Sequence, residues 1–396
     1  MPDRIIFHCD CNAFFASVEE TFHPEYRQVP MAVAGDPANR HGIILAKNER
    51  AKKYGIRTAE TIHSAKQKCP GLLLCPPRHG TYGEFCERIN AIYETYTDQV
   101  ERFSIDESFL DMTFFGNDAL AIAHDIRKRV ARETGVTISV GVSWNKIFAK
   151  MGSEYKKPDA VTEISRQNYR EILWPMPAGE LFMVGRSTAQ ALERFGVHTI
   201  GDLANADEAF LRRQFGKQSE YLHSSANGLD GSVVAWAGEH GPAKSIGNGM
   251  TFRRDLSGER EVRTGLIPLA ETVAARMRRA GMKCATVQLT IKDTALKSIT
   301  RQKTVPPTWL AADLTRACLE LFRAAWPERK PIRLLTVTAQ NLLPANEAVE
   351  QLSLFDEPGG SETVERLERA VDGIRERYGG GSIRHGSALG EIFTDG

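Results

Sequence analysis

Residues 4–22, RIIFHCDCNAFFASVEETF, set an apolar run directly against a helical pattern, and an aspartate, Asp10, stands near the join. The first part reads as a short buried strand and the part from Phe14 onward as a helix start. An ionised carboxylate at the end of a buried strand is costly unless a cation or basic group neutralises it. Asp10 is therefore either a cap for the helix that follows or a ligand.

The same alternation continues outward. PMAVAGD (30–36) and GIILAKNERAKKYGI (42–56) read as strands, the second turning into a basic helix, and TIHSAKQKCP (61–70) as a helix ended by Pro70. LLLCPP (72–77) is a short strand, YGEFCERINAIYETYT (82–97) a helix, and VERFSIDESFLDMT (100–113) a strand with carboxylates set into it. An amphipathic helix over 119–134 and a buried strand TISVGVSW (137–144) follow, so the chain to about residue 165 is expected to be a mixed α/β domain. Residues 166–240 are mostly helical, and VGRSTAQALERFGVHTIGDLANAD (184–207) has a helix-hairpin-helix pattern. GEHGPAKSIGNG (238–249) reads as a linker. Beyond it, strands TVQLTIKD, SITRQKTV and IRLLTVTAQ interleave with helices near 259–280 and 310–325. The fold class is α/β (α+β) and multidomain, with no internal repeat.

The chain has 396 residues, too many for one ordinary core. Its 42% hydrophobic and 26% charged content is that of a soluble globular protein, and no apolar run approaches the ~20 residues of a membrane span. No signal peptide is legible at the start, and a cytoplasmic location is expected. Seven cysteines without a CxxC pair argue against a disulfide framework or a structural zinc site, and Cys9 and Cys11 read as strand packing. The net charge of +1 conceals an asymmetry, because Lys244 to Ala345 carries 18 Lys/Arg against 8 Asp/Glu. One region is built to face a polyanion while the rest concentrates acid.

A second acidic feature sits in S-I-D-E-S, where Asp106 and Glu107 interrupt an apolar strand pattern. Asp106 pairing with an arginine is the plain structural alternative. Three carboxylates suit Mg²⁺, and a two-metal site needs at least two of them, with ions ~3.5–4 Å apart.

D-C-N-A-F-F-A-S-V-E (10–19), S-I-D-E-S (104–108) and S-V-G-V-S-W-N-K-I-F-A-K with K-K-P-D-A (139–160) together resemble the Y-family DNA polymerases, nearest to their DinB, or DNA polymerase IV, branch. The similarity runs from about residue 4 to 345. It implies a right-hand architecture: palm at 1–13 and 78–165, small fingers at 14–77, and a helical thumb at 166–240. A little finger at 241–345 and a C-terminal tail at 346–396 complete it; within the tail the residues after QLSLFDEPGG read as a charged helix with a Gly-rich end. It also implies template-directed, low-fidelity addition of dNTPs to a primer 3′ end, in translesion synthesis and repair, with two Mg²⁺ ions.

Position by position, Asp10, Asp106 and Glu107 match the family's catalytic, metal-binding acids, with the Cys11 backbone carbonyl completing the coordination. Phe15 matches its steric gate, a flat ring that leaves no room for a ribose 2′-hydroxyl. Phe14 is placed with Phe15 among the expected nucleotide-binding residues, and of the two rings it is the one better suited to simple packing. Lys157 matches a triphosphate-binding lysine, and Lys146 and Lys150, four residues apart, are expected to support the site or touch DNA. In the fingers, A-K-N-E-R-A-K-K-Y-G-I departs from the family's A-N-Y-E-A-R-x-F-G-V. Glu49 takes the tyrosine position and Lys52 the arginine position, so the charge stays but the bidentate fork is lost. Glu49 would repel a triphosphate unless it turns away or pairs with Arg50 or Lys53, and Lys47 or Asn48 is expected to supply the missing contact.

Gly185 survives in the thumb hairpin, whose backbone N–H groups are expected to hold DNA phosphates. Arg253, Arg254, Arg276, Arg278, Arg279, Lys283, Lys297, Arg301 and Lys303 are the expected phosphate contacts of the little finger. Gln351, Leu352, Leu354 and Phe355, in QLSLF, resemble the peptide that docks in the bacterial sliding clamp. The implied partners are primer-template DNA, dNTPs and that clamp, with no membrane, for a protein acting as a monomer. Three rival readings are an inactive DNA-binding relative, a nucleotidyl cyclase with the same paired aspartates, and an adaptor. The three acids count against the first and third; a DNA-sized basic domain and a clamp peptide count against the second.

Overall fold

The computed structural model describes residues 3–35, 42–239, 241, 243–327, 330–348 and 360–386, with only the backbone at 360–362. The chain divides into two compact units, Met1–His240 and Gly241–Gly396.

In the first unit β1 (Ile6–Cys11) leads into α1 (Phe14–Phe22). A three-stranded sheet follows, from β2 (Met31–Ala34), β3 (Ile44–Lys47) and, after α2 (Glu49–Lys52) and α3 (Ile62–Lys68), β4 (Leu73–Cys75). Next come α4 (His79–Glu94), β5 (Val100–Arg102), β6 (Glu107–Asp111) and α5 (Ala119–Thr134). β7 (Ile138–Ser143), α6 (Lys146–Tyr155) and β8 (Val161–Glu163) complete the central-sheet region. Five helices end the unit: α7 (Tyr169–Leu173), α8 (Arg186–Arg194), α9 (Ile200–Ala204), α10 (Glu208–Phe215) and α11 (Gln218–Ala226).

β1 lies at the centre of a five-stranded sheet in the order β5-β6-β1-β7-β8, antiparallel to both neighbours. All six of its residues are buried, because both faces are covered. Phe7, Cys9 and Cys11 enter the core with Tyr82, Ile89 and Tyr93 of α4 and Ile126 of α5. Ile6, His8 and Asp10 alternate to the other face, against which α6 packs. That approach is close: a Cβ built on Gly141 of β7 would lie 1.8 Å from the Ala149 carbonyl oxygen, so only glycine fits there.

The run 100–113 differs from its expectation as one strand. It is two strands, and Phe103–Asp106 forms the tight connection, with the N–H groups of Phe103 and Ser104 both donating to the Glu107 carbonyl. Glu107 opens β6, whereas Asp106 stands in the turn. Side-chain alternation does not register such a break, because the turn is made by backbone bonds and by Ser104, whose hydroxyl donates to Asp106 (2.6 Å).

In the second unit β9 (Ser245–Leu256), α12 (Gly258–Arg279), β10 (Met282–Asp293), β11 (Ser298–Thr308), α13 (Ala311–Ala325) and β12 (Ile332–Pro344) form an antiparallel sheet. The strand order is β11-β10-β12-β9, and α12 and α13 cover one face around Phe252, Leu266, Met277, Leu289 and Phe322. The expected linker is shorter than it reads, since SIGNG is the start of β9. Gly247 and Gly249 pair with Thr338 and Thr336, and a Cβ on Gly249 would lie 2.4 Å from the Thr336 hydroxyl. Glycine here permits a close strand pairing rather than a flexible loop.

The segment 346–396, expected as a tail, contributes α14 (Gly360–Tyr378) to the same unit. Arg278, almost wholly buried, pairs with Glu368 and with Asp372 (2.8 Å), and Arg375 pairs with Glu271 (2.8 Å). Arg278 is thus a structural residue and not the phosphate contact its position in a basic run suggests. Partners some ninety residues apart leave no trace in local periodicity.

Candidate active site

Three chain segments meet at one end of the central sheet. Asp10 is the register partner of Glu107 on β6 and of Ser139 on β7, so its carboxylate and that of Glu107 share the face beneath α6. Cys11 donates its N–H to the Asp106 carbonyl (2.9 Å), which ties the turn bearing Asp106 to the end of β1. Asp10 does not cap α1: the cap position is Ala13, in the left-handed region at φ 49°, with no side-chain bond. Asp106 pairs with Ser104 and not with an arginine. Both plain structural alternatives therefore fail.

The helix above supplies cations and one more acid. Lys150 Nζ lies 2.6 Å from Glu107 Oε1, 3.2 Å from Asp10 Oδ2 and 3.2 Å from Glu154 Oε1. Lys157 Nζ lies 2.7 Å from Asp10 Oδ2 and 2.7 Å from Glu154 Oε1. Carboxylate oxygens of Asp10, Glu107 and Glu154 lie within 4.8 Å of one another. Glu154 was not singled out from the sequence; its signal was the i, i+4 spacing from Lys150 and i+3 spacing to Lys157. Lys146, grouped with Lys150 by spacing, instead pairs with Glu101.

Burial raises the Asp10 carboxyl to about 7, with Lys157 and Lys150 pulling the other way. Burial also acts to raise Glu107, but the His8 ring facing it and the Lys150 ammonium bonded to it outweigh burial and hold this carboxyl well below the usual range. The Lys150 ammonium is desolvated, yet its three acidic neighbours stabilise it above the ordinary lysine value. Cys9 and Cys11, on the opposite face of β1, are pushed up by burial and remain thiols. All seven cysteines are free and buried, and Cys9 and Cys11 pack within β1 as expected.

The acids form the floor of a cavity of about 380 Å³, within the usual range for small-molecule sites. Asp10, Cys11, Asp106, Glu107, Glu154 and Lys157 line one side, and Leu45, Ala46, Lys47, Glu49, Lys52 and Thr58 the other. Phe15 lies between, its ring stacked on Tyr82 at 4.2 Å and 11°. The Tyr82 hydroxyl donates to buried Glu19 (2.7 Å), which Arg78 grips through two nitrogens. Phe14 is buried in the core and borders the same cavity.

The residues at 47–53, expected in the fingers, differ from their expected pairing. Glu49 pairs with Lys52 at 3.6 Å, not with Arg50 or Lys53; Arg50 donates to the Arg27 carbonyl (2.6 Å). Asn48 is buried and fully engaged, capping α2 through Ala51 and bonding Met31 and Val29, so it is not a ligand in reserve. Lys47 lines the cavity, with its Nζ 3.2 Å from Thr58 Oγ1.

Gly185 caps α8 in extended backbone. In the second unit Arg253 lies on β9, and Arg254 forms a bidentate pair with Glu261 (2.6 and 2.9 Å). Arg301 and Lys303 are register partners of Leu289 and Val287, which places them on the helix side of the edge strand, where Lys303 meets Glu320. The open sheet face instead carries neutral groups such as Thr286, Gln288, Thr336 and Thr338, directly paired or alternating along the strands. Residues 351–355 lie outside the described residues. Among the described residues, no helix is long and apolar enough to cross a membrane.

Comparison with known proteins gives two family matches, the impB/mucB/samB family over residues 9–154 and its C-terminal domain over 243–354. DNA polymerase IV of Acetivibrio thermocellus is 44% identical over 390 residues, covering 98% of each chain. That of Clostridium kluyveri is 37% identical, again with 98% of each covered, and DNA polymerase IV 1 of Bacillus subtilis is 35% identical, with 98% of this chain and 93% of its own. A solved Y-family DNA polymerase chimera matches the fold with a TM-score of 0.77 at 23% identity, covering 86% of this chain and 99% of its own.

Proposed function

The chain belongs to the impB/mucB/samB family, among its Y-family DNA polymerases, and from that premise we propose how the cavity in its first unit carries out nucleotidyl transfer. The protein is a DNA-directed DNA polymerase of the translesion class. The observation that carries the assignment is the pairing of Asp10 with Glu107 in register, with Asp106 beside them, at the floor of a cavity walled by lysines.

The donor set fits a hard divalent cation, because it offers carboxylate oxygens and no thiolate. Asp10, Asp106, Glu107 and the Cys11 carbonyl would hold two Mg²⁺ ions, which supply Lewis-acid activation of the primer 3′-hydroxyl and neutralisation of the triphosphate. Lys150 and Lys157 hold the acids together, a place that bound ions would take over. Lys157 then turns to the triphosphate, and Lys52 and Lys47 approach it from the opposite wall, the former carrying Glu49 as its pair. Phe15, fixed flat against Tyr82, excludes a ribose 2′-hydroxyl. The wall facing it includes two small residues, Ala46 and Thr58, which would grip the nascent base pair weakly and favour low fidelity.

The palm, fingers and thumb are read as 1–13 with 78–165, 14–77 and 166–240, and the little finger as 241–345. Gly185 holds DNA through backbone N–H groups, while Arg253, Arg254, Arg301 and Lys303 give salt-sensitive phosphate contacts. Gln351, Leu352, Leu354 and Phe355 engage the sliding clamp. Primer extension with Mg²⁺ and each dNTP tests the reading: template-directed extension is expected, and no extension by the intact protein overturns it.

A further inference from the structure

We propose that His8, buried between β1 and α6, is a positioning residue that orients the Glu107 carboxylate toward its metal ion, with Ser153 fixing the tautomer of the ring. The inference rests on Glu107 being a metal ligand, and its test separates the two.

His8 precedes Asp10 by two residues on β1, so both side chains leave the same face of the strand. It is completely buried, and its ring packs on Phe109 at a centroid distance of 4.6 Å. The β7 residue opposite it is Gly141, the one residue small enough to let α6 close over the ring. Nδ1 lies 2.8 Å from Ser153 Oγ. Nε2 has no hydrogen-bond partner, and it is aimed at Glu107 Oε2, 3.7 Å away.

The ring is buried away from water, and as a neutral imidazole it carries a single N–H. Two arrangements are open. If Nδ1 donates to Ser153, whose own hydroxyl then donates to the Lys150 carbonyl 2.8 Å away, a bare nitrogen lone pair faces a carboxylate in a dry site. If Ser153 donates to Nδ1, the proton resides on Nε2 and points at Glu107. The first leaves a lone pair facing the carboxylate; the second gives up the Ser153 donation to the Lys150 carbonyl but turns an N–H toward Glu107, where an unmatched buried polar group costs about 1–3 kcal/mol. The Nε2 to Oε2 separation is about half an ångström beyond the ~3.2 Å reach of a hydrogen bond. Lys150 draws the other oxygen, Oε1, to 2.6 Å. Were a cation to take the place of that ammonium, Oε1 would be released from it and Oε2 would be free to settle on Nε2. Buried hydrogen bonds behind ligands commonly set metal affinity in this way.

The test is Mn²⁺ binding followed by electron paramagnetic resonance, with the full chain bound to a dideoxy-terminated primer-template and a dNTP. His8→Phe keeps the ring and its packing but no N–H, and its affinity is expected to fall about tenfold. His8→Gln, which carries an N–H at nearly the same reach, is expected to recover most of that loss. Ser153→Ala, which leaves the ring in place but frees its tautomer, is expected to fall between wild type and His8→Phe. Unchanged Mn²⁺ affinity in His8→Phe, or His8→Gln as weak as His8→Phe, overturns the proposal. Should His8→Phe fail to fold, Ser153→Ala decides, and wild-type affinity there overturns it. Glu107→Gln is run alongside: undiminished binding in that variant refutes Glu107 as a ligand, whereas a loss there without one in His8→Phe refutes only the role of His8.

Discussion

Replacing Lys150 with methionine keeps the unbranched chain and removes one ammonium from between three carboxylates. In the metal-free protein Asp10, Glu107 and Glu154 share two ammonium groups, and Lys150 lies within 3.2 Å of all three acids. Removing one partner of a mostly buried ion cluster costs about 3–5 kcal/mol. Glu154 is half exposed and its share is screened, so the lower end, about 3 kcal/mol, applies. For a unit spanning Met1–His240, 1 kcal/mol corresponds to roughly 2–4 °C, and the melting temperature should fall by about 6–12 °C in EDTA. Saturating Mg²⁺ neutralises the same carboxylates and binds only the folded form, so it should restore a large part of the loss. In the wild-type protein the ion must first displace an ammonium, and its stabilising effect should be smaller. Thermal unfolding followed by circular dichroism, near neutral pH with EDTA or with Mg²⁺, reads both. An equal fall in the two conditions would show that Lys150 does not stand in for a cation.

Three further outcomes are expected. Phe15→Ala should admit ribonucleotides in single-nucleotide incorporation while keeping dNTP insertion, and unchanged sugar selection would remove Phe15 as the gate. Deleting 351–355 should abolish stimulation by a bacterial sliding clamp and spare basal extension; undiminished stimulation would refute the clamp assignment. Arg278→Ala leaves Glu368 and Asp372 without their cation and should destabilise the docking of α14 by about 3 kcal/mol. Hydrogen exchange over 363–378 should then accelerate with little change in β10, and unaltered exchange would place the docking energy elsewhere.

Much of the fold was legible because local pattern and burial agree. The helix expected over 119–134 is α5, and the strand-to-helix junction around Asp10 is β1 followed by α1. Pattern failed where backbone bonds or distant partners decide. The turn Phe103–Asp106 is invisible to alternation, and Gly247 and Gly249 look like a linker until Thr336 and Thr338 are set against them. Arg278 looks like a DNA contact until α14 returns across about ninety residues. The candidate site divides the same way. Asp10, Asp106, Glu107 and Phe15 stand out in linear motifs. Glu154 and His8 matter only through the register that sets Asp10 beside Glu107 and through the height of α6 above them. Glu49, a liability beside a triphosphate when read alone, is matched by Lys52 one helical turn away.

The central claim is that the acids beside β1 are the catalytic centre of a DNA polymerase, and Asp106 tests it best, because it stands in a turn outside the strands and, among the described residues, its side chain hydrogen-bonds to Ser104 alone. Single-turnover incorporation of one dNTP on a primer-template with Mg²⁺ should be undetectable or several thousandfold slower in Asp106→Ala, with DNA binding retained. Incorporation at the wild-type rate in that variant would contradict the account.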